Sequence, residues 1–185
     1  MLDLYLIRHA QTERNAQGRY PAAGEDPALS ADGETQAGRL PLIPGDLWSS
    51  PARRCLQTAA LASYPAPRVE SALLEADFGV MAGHTWAELE AEYGDAPRLW
   101  TEGLADPTSA AGPPGGESGE QFHDRIQRWL GELPDTGSVV AFSHAGVILA
   151  ALRLCLNLSA ASVQHAKVTH LRRSGGTWWI ERLNG

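Results

Sequence analysis

Two short apolar runs, Leu4–Ile7 and Ser138–Phe142, constrain this chain more than any other feature. Neither alternates cleanly between apolar and polar residues, so each reads as a strand buried on both faces rather than one with a solvated side. Further strand-like runs are Leu47–Trp48, Val168–Arg172 and Thr177–Glu181, the last two flanking Ser174-Gly175-Gly176, a hairpin signal. Between the runs lie segments with helical spacing. Strands alternating with helices predict a layered α/β sheet, and 185 residues suffice for one domain with a sizeable core.

The segment 51–62 opens with Ser50-Pro51, an N-cap followed by proline at the first helical position. Its stripe Ala52, Cys55, Leu56, Ala59, Ala60 follows the spacing of one helix face. Thr85–Glu88 and Ser118–Gln121 fit capping boxes and predict helices near 86–93 and 119–131. Residues 103–118 are rich in Gly, Pro, Ala and Ser and read as a long loop.

A net charge of −7 argues against non-specific nucleic-acid binding, so an anionic ligand needs a locally positive pocket in an acidic exterior. The apolar run Ala145–Leu152 is far short of a membrane span and is stopped by Arg153. The chain enters its first strand with Asp3 and no signal-like apolar segment. Cys55 and Cys155 form neither a metal motif nor a disulfide framework and read as buried, reduced thiols. A cytoplasmic protein is expected. His123, His165 and His170 lack metal-motif spacing and read as structural, so no metal is expected.

The two founding strands share a second property. One ends in Arg8-His9, the other in Ser143-His144. Ligands of open α/β sheets bind beyond the carboxyl ends of the strands, so parallel neighbours would place His9 and His144 on one rim. A helix starting near Ala145 would aim free backbone N–H groups at an anion there. A loop hydrogen bond accounts equally well for either histidine alone; their shared context favours a site. Arg53 and Arg54 fall in the first turn of a helix, where the macrodipole disfavours cations, so an anion is expected nearby. Periodicity does not choose between them.

Arg8-His9-Ala10-Gln11-Thr12 with Asn15 resembles the RHG-x-T…N signature of the histidine phosphatase superfamily, also called the phosphoglycerate mutase-like family. Asp26-Pro27-Ala28-Leu29-Ser30 with Gly33, Gln36 and Ala37 resembles that family's D-x-P-L-[ST]-x-x-G-x-x-Q-A. Ser49 to Thr58 resembles SSPLxRAxQT, which selects Arg54 over Arg53. Leu74-Glu75-Ala76-Asp77-Phe78-Gly79 resembles the segment carrying the family's acid, Gly115 to Ser118 its GGES, and Ser143 to Gly146 its SHGG. Six fragments in one order are specific where each alone is weak. Ala10 and Ala145 replace glycines, and Val80-Met81-Ala82-Gly83 stands where many members carry W-E-G.

The resemblance implies a three-layer α/β/α sandwich with a mostly parallel central sheet, one domain over 1–185 and a cap-like insertion around 76–118. The loop 103–118 is a candidate lid over it. It also implies a metal-independent phosphomonoester hydrolase of the compact branch, similar to α-ribazole or broad-specificity phosphatases, with no cofactor. His9 is then the nucleophile and Glu75 the general acid. Arg8, Asn15, Arg54 and the Ala145 N–H hold the phosphoryl group, and a protonated His144 adds a third cation. The ligand is a small phosphorylated metabolite, with α-ribazole phosphate one candidate. A phosphoglycerate mutase and a non-catalytic phospho-ligand module are the alternatives, and oligomeric state is open.

Overall fold

The computed structural model describes residues 1–21 and 25–185. Strand β1 (Leu2–Arg8) leads through the single turn α1 (Glu13–Ala16) to α2 (Ala31–Ala37), β2 (Asp46–Ser49), α3 (Arg53–Leu61) and β3 (Arg68–Val69). Next come α4 (Trp86–Tyr93), α5 (Ala96–Ala105), α6 (Gly119–Glu132), β4 (Gly137–Ser143), α7 (Ala145–Leu156), β5 (Val168–Ser174) and β6 (Thr177–Arg182).

The strands form one sheet in the order β3-β2-β4-β1-β5-β6. The four strands from β3 to β1 run parallel, and β5 and β6 extend the β1 edge antiparallel. This is the mostly parallel α/β sandwich that the resemblance implies. Leu2, Leu4 and Leu6 of β1 enter one core with Val139, Ala141 and the apolar faces of α6 and α7. Ile7, Val140 and Phe142 enter the opposite core with Cys55 and Ala59 of α3. Both central strands are therefore covered on both faces, which is why their sequences are almost continuously apolar.

Helix α6 forms where its capping box predicts: Ser118 accepts from the Gln121 N–H, and the Gln121 side chain accepts from Ser118 N–H. Phe122, Ile126, Trp129 and Leu130 bury one face of it, each worth about 1.5–3 kcal/mol of transfer free energy. Gly175 and Gly176, at φ +56° and +80°, make the two-residue turn joining β5 and β6.

Three expectations need correction. Helix α3 starts two residues later than Ser50-Pro51 predicts, with Ala52 as N-cap and no side-chain cap. The Asp26 carboxylate takes over, accepting from the Arg53 N–H with both oxygens at 2.8 Å. It is the anion demanded by two arginines in a first helical turn. Second, α5 takes the first residues of the expected 103–118 loop; Pro97 sits in its first turn and Leu104 anchors its far end. Third, the rest of that loop is fastened rather than free. Glu117 N–H donates to the Asp77 carbonyl at 2.9 Å and Val80 N–H to the Pro114 carbonyl at 3.0 Å. Gly79 (φ +48°) and Gly116 let these two backbones touch, since a Cβ on either would strike the other segment's carbonyl oxygen.

Helix α7 runs past Arg153 to Leu156, closed by Asn157 in the left-handed region at φ +54°. Among the described residues no helix is long and apolar enough to cross a membrane. Both cysteines are free, Cys55 buried and Cys155 half-buried, and burial pushes each thiol up to about 12.

Candidate active site

Register decides what meets at the rim. Arg8 of β1 lies opposite Ser143 of β4, and His9 N–H continues the ladder to the Ser143 carbonyl at 2.8 Å. On the other side of β4, Ser49 of β2 lies opposite Phe142. Three parallel strands thus end together, delivering His9, His144 and the turn into α3 that carries Arg54. The His9 and His144 ring centroids are 5.2 Å apart, tilted edge-on at 63°. A cavity of about 290 Å³ is lined here by Arg8, His9, Asn15, Arg54 and Glu75, and further out by Arg19, Tyr20, Phe78 and Trp86.

Hydrogen bonds fix the state of both imidazoles. His9 Nδ1 is 2.8 Å from the Ala10 carbonyl, which only accepts, so Nδ1 carries the proton and Nε2 the lone pair. Burial first, then the Arg54 charge, hold the His9 pKa well below the ordinary histidine value. The Ala10 peptide is itself held. Its N–H donates to Thr58 Oγ1 at 3.0 Å, and the Thr58 hydroxyl donates to the Arg54 carbonyl at 2.6 Å. Thr58 stands four residues after Arg54, on the same helix face, and is the T of the QT pair in the sequence.

His144 takes the other tautomer. Arg54 Nη2 donates to its Nδ1 at 3.1 Å, and a guanidinium cannot accept, so the ring proton sits on Nε2 beside Ser50 Oγ at 2.9 Å. Burial, then His9 and Arg54, push its pKa well below the ordinary value. The free protein therefore holds His144 neutral. This corrects the expectation of a third cation: the ring is fully buried among groups that are already positive.

The permanent charge comes from Arg8 and Arg54. Arg8 is anchored by a 2.6 Å bond from Nη1 to the Val163 carbonyl, while its buried Nε has no partner among the described residues. Arg54 is buried, and its ion pair with Asp26 is long at 3.8 Å. Asn15 Oδ1 accepts from Thr12 N–H and Oγ1 at 3.2 and 2.9 Å, which leaves its amide NH₂ available to a ligand. Ala145 stands at the first position of α7, whose N-cap His144 makes no side-chain cap. All seven residues singled out from the sequence lie at this rim or on its walls. Among the described residues, no group of three or more His, Cys, Asp or Glu side chains is arranged to hold a metal ion.

Glu75 is half-buried, and its carboxylate accepts from Gly146 N–H at 3.2 Å and Ala76 N–H at 3.1 Å. Desolvation raises its pKa, opposed by those two N–H groups and by Arg54 and Arg8. A Cβ on Gly146 would strike Glu75 Oε1, which explains a glycine at that place. Arg125 braces the segment from behind. It donates to the carbonyls of Ala72, Leu74 and Glu75 at 2.7, 2.8 and 3.1 Å, while Glu117 grips it bidentately at 2.8 and 3.0 Å. Sequence reasoning passed over Arg125; its signal is a cation flanked by the buried Phe122 and Trp129 on one helix face. Arg125→Ala strips three carbonyls and Glu117 of their donor, and is expected to cost about 2–3 kcal/mol in chemical denaturation. A loss below about 1 kcal/mol would show that the brace carries no load.

His165 is a second residue whose place the sequence does not signal. Its ring lies 5.7 Å from that of His9, and burial, then Arg8, lower its pKa to about 4.

The sequence profile described as "Histidine phosphatase superfamily (branch 1)" matches residues 4–185. A bifunctional protein of Mycobacterium tuberculosis, Rv2228c, is 32% identical over 166 residues, covering 83% of this chain and 44% of its own. The chain thus spans less than half the length of that relative. The probable phosphoglycerate mutase GpmB of Salmonella paratyphi C is 32% identical over 166 residues, covering 82% of this chain and 73% of its own. Among solved structures, mycobacterial glucosyl-3-phosphoglycerate phosphatase Rv2419c with VO3 superimposes at a TM-score of 0.80 with 26% identity, covering 99% and 98% of the two chains. Paired strand-end histidines, buried arginines beside them and a match along nearly the whole sequence leave one conclusion: the chain belongs to the histidine phosphatase superfamily.

Proposed function

We propose that the chain hydrolyses phosphomonoesters of small metabolites through a phosphohistidine at Nε2 of His9. The observation that carries this reading is the fixed state of His9: neutral, its Nδ1 proton tied to Ala10, its Nε2 lone pair uncommitted beside two buried guanidiniums. A phosphomonoester brings about −1.5 to −2 charges, which Arg8 and Arg54 meet with forked donors suited to phosphoryl oxygens. The Asn15 amide and the Ala145 N–H add neutral donors. Charge in the transition state stays on those same oxygens, so donors already in place serve both binding and reaction.

In the first step Nε2 forms a bond to phosphorus, the ester P–O bond breaks, and the Glu75 proton passes to the departing alkoxide. In the second step water attacks the phosphohistidine, Glu75 takes the water's proton, and inorganic phosphate leaves His9 with its lone pair restored. A bound dianion offsets the cationic surroundings that keep His144 neutral, so His144 acts as a proton-bearing donor once substrate is present. Residues 76–118, which contribute Phe78 and Trp86 to the cavity, cap the leaving group. A module that only bound phosphate would need the arginines but neither an open imidazole lone pair nor a carboxyl with a raised pKa.

Turnover of phenyl phosphate in heavy-oxygen water tests the reading. The label is expected in inorganic phosphate and absent from phenol. Label in the phenol, or no turnover of any monoester, contradicts it. Arg54→Ala should weaken inhibition by inorganic phosphate about 10–100-fold, the worth of charge-assisted hydrogen bonds lost from one fork. Because Arg54 lacks a close carboxylate partner, the ligand-free protein should keep its denaturation midpoint. A large drop there would make Arg54 a structural residue instead.

A further inference from the structure

We propose that the site selects monoesters whose alcohol portion is flat and uncharged, and that Glu88 enforces this by neutralising Arg19. The proposal rests on the phosphatase reading and names its substrate class. Three guanidiniums line the cavity: Arg8, Arg19 and Arg54. Arg8 and Arg54 lie at the phosphoryl end beside the histidines. Arg19 belongs to the outer wall with Tyr20, Phe78 and Trp86, where the alcohol portion must sit.

Arg19 is not available to a ligand. Its Nη1 and Nη2 donate to the two Glu88 oxygens at 2.7 and 2.9 Å, and Nη1 also donates to the Gly83 carbonyl at 2.8 Å. Glu88 is held from its own side, accepting from Thr85 N–H at 2.8 Å in the capping box of α4. Arg19 also pairs with Thr85 through an isolated backbone bridge. Both ends of the ion pair are therefore fixed by backbone, which limits its freedom to swap partners.

The rest of the wall offers a second anion nothing. Tyr20 and Phe78 pack with centroids 4.8 Å apart, and Trp86 is 36% exposed beside them. The adjoining mouth, a cavity of about 510 Å³, is lined by Glu25, Asp26 and Asp77, with Arg54 its one cation among the described residues. Arg14 is tied to Glu25 at 2.8 Å, and residues 22–24 are Ala-Ala-Gly, without charge. A carboxylate or second phosphate on the alcohol portion would lose water beside carboxylates with no free counter-charge. An aromatic or apolar group would instead meet aromatic faces.

The test compares kcat/KM for phenyl phosphate and 3-phosphoglycerate on the native protein and on Glu88→Gln. Glutamine keeps the capping box while removing the charge that holds Arg19. On the native protein, phenyl phosphate should be favoured by about 100-fold or more. In Glu88→Gln, 3-phosphoglycerate should gain about tenfold or more while phenyl phosphate stays unchanged. Equal or better use of 3-phosphoglycerate by the native protein overturns the selectivity but leaves the phosphatase reading intact, and needs no variant to fold. A folded Glu88→Gln with no gain overturns the role of Glu88. Failure to hydrolyse either ester removes the phosphatase reading, and the selectivity with it.

Discussion

His9→Ala should abolish phosphate release, a fall of roughly four to six orders of magnitude, while the protein stays folded. No other group at the rim combines an open lone pair with the neutral state that a nucleophile needs. His144 has its Nδ1 lone pair committed to Arg54 and its Nε2 proton to Ser50. Cys55 is kept as an unreactive thiol by burial, its pKa pushed up to about 12. The structural cost is small, because the one hydrogen bond lost is local, between His9 and its neighbour Ala10. Stability should fall by about 1–2 kcal/mol, read by thermal melting beside the activity assay. Activity within about tenfold of native would exclude His9 as the nucleophile.

Glu75→Gln should slow the enzyme unevenly. An amide cannot give a proton to an alkoxide, so alkyl phosphates should lose about 10²–10⁴-fold, whereas phenyl phosphates with strongly acidic phenols should lose far less. The pH profile carries the same information. His9 must be deprotonated, and its pKa is lowered, so the rate rises with pH through a range well below the usual histidine value. Glu75 must be protonated, and its pKa is raised, so the rate falls as pH climbs through a range above the usual carboxylic acid value. Glu75→Gln should erase the falling limb and keep the rising one. An intact falling limb in the variant would assign general-acid work to another group.

The sequence made the sheet and its rim legible for a simple reason. Two strands covered on both faces must be apolar throughout, and a charged or titratable residue at the end of each is conspicuous. Glu75 was legible only through the order of motif fragments, since nothing in Leu74–Gly79 separates a buried acid from a surface one. Helix α5 was hidden by Gly103 in its last turn and by the Gly- and Pro-rich residues that follow. Strand β3, two exposed residues long, has no apolar signal at all. The cap of α3 was misplaced because Ser50 looks like an N-cap yet serves His144, and the carboxylate that replaces it is distant in sequence. Protonation of His144 depends on neighbours from β1 and α3, which spacing cannot convey. Thr58 and Arg125 act through backbone carbonyls and amides, partners that leave no mark in a residue pattern.

Rapid quenching of the enzyme during turnover of phenyl phosphate, followed by peptide mapping, examines the proposed intermediate itself. A phosphoryl group that is labile to acid and stable to alkali should appear on His9, at a rate no slower than turnover, and decay as phosphate is released. Steady phosphate release with His9 never phosphorylated, or with the phosphoryl group on another residue, would contradict the mechanism.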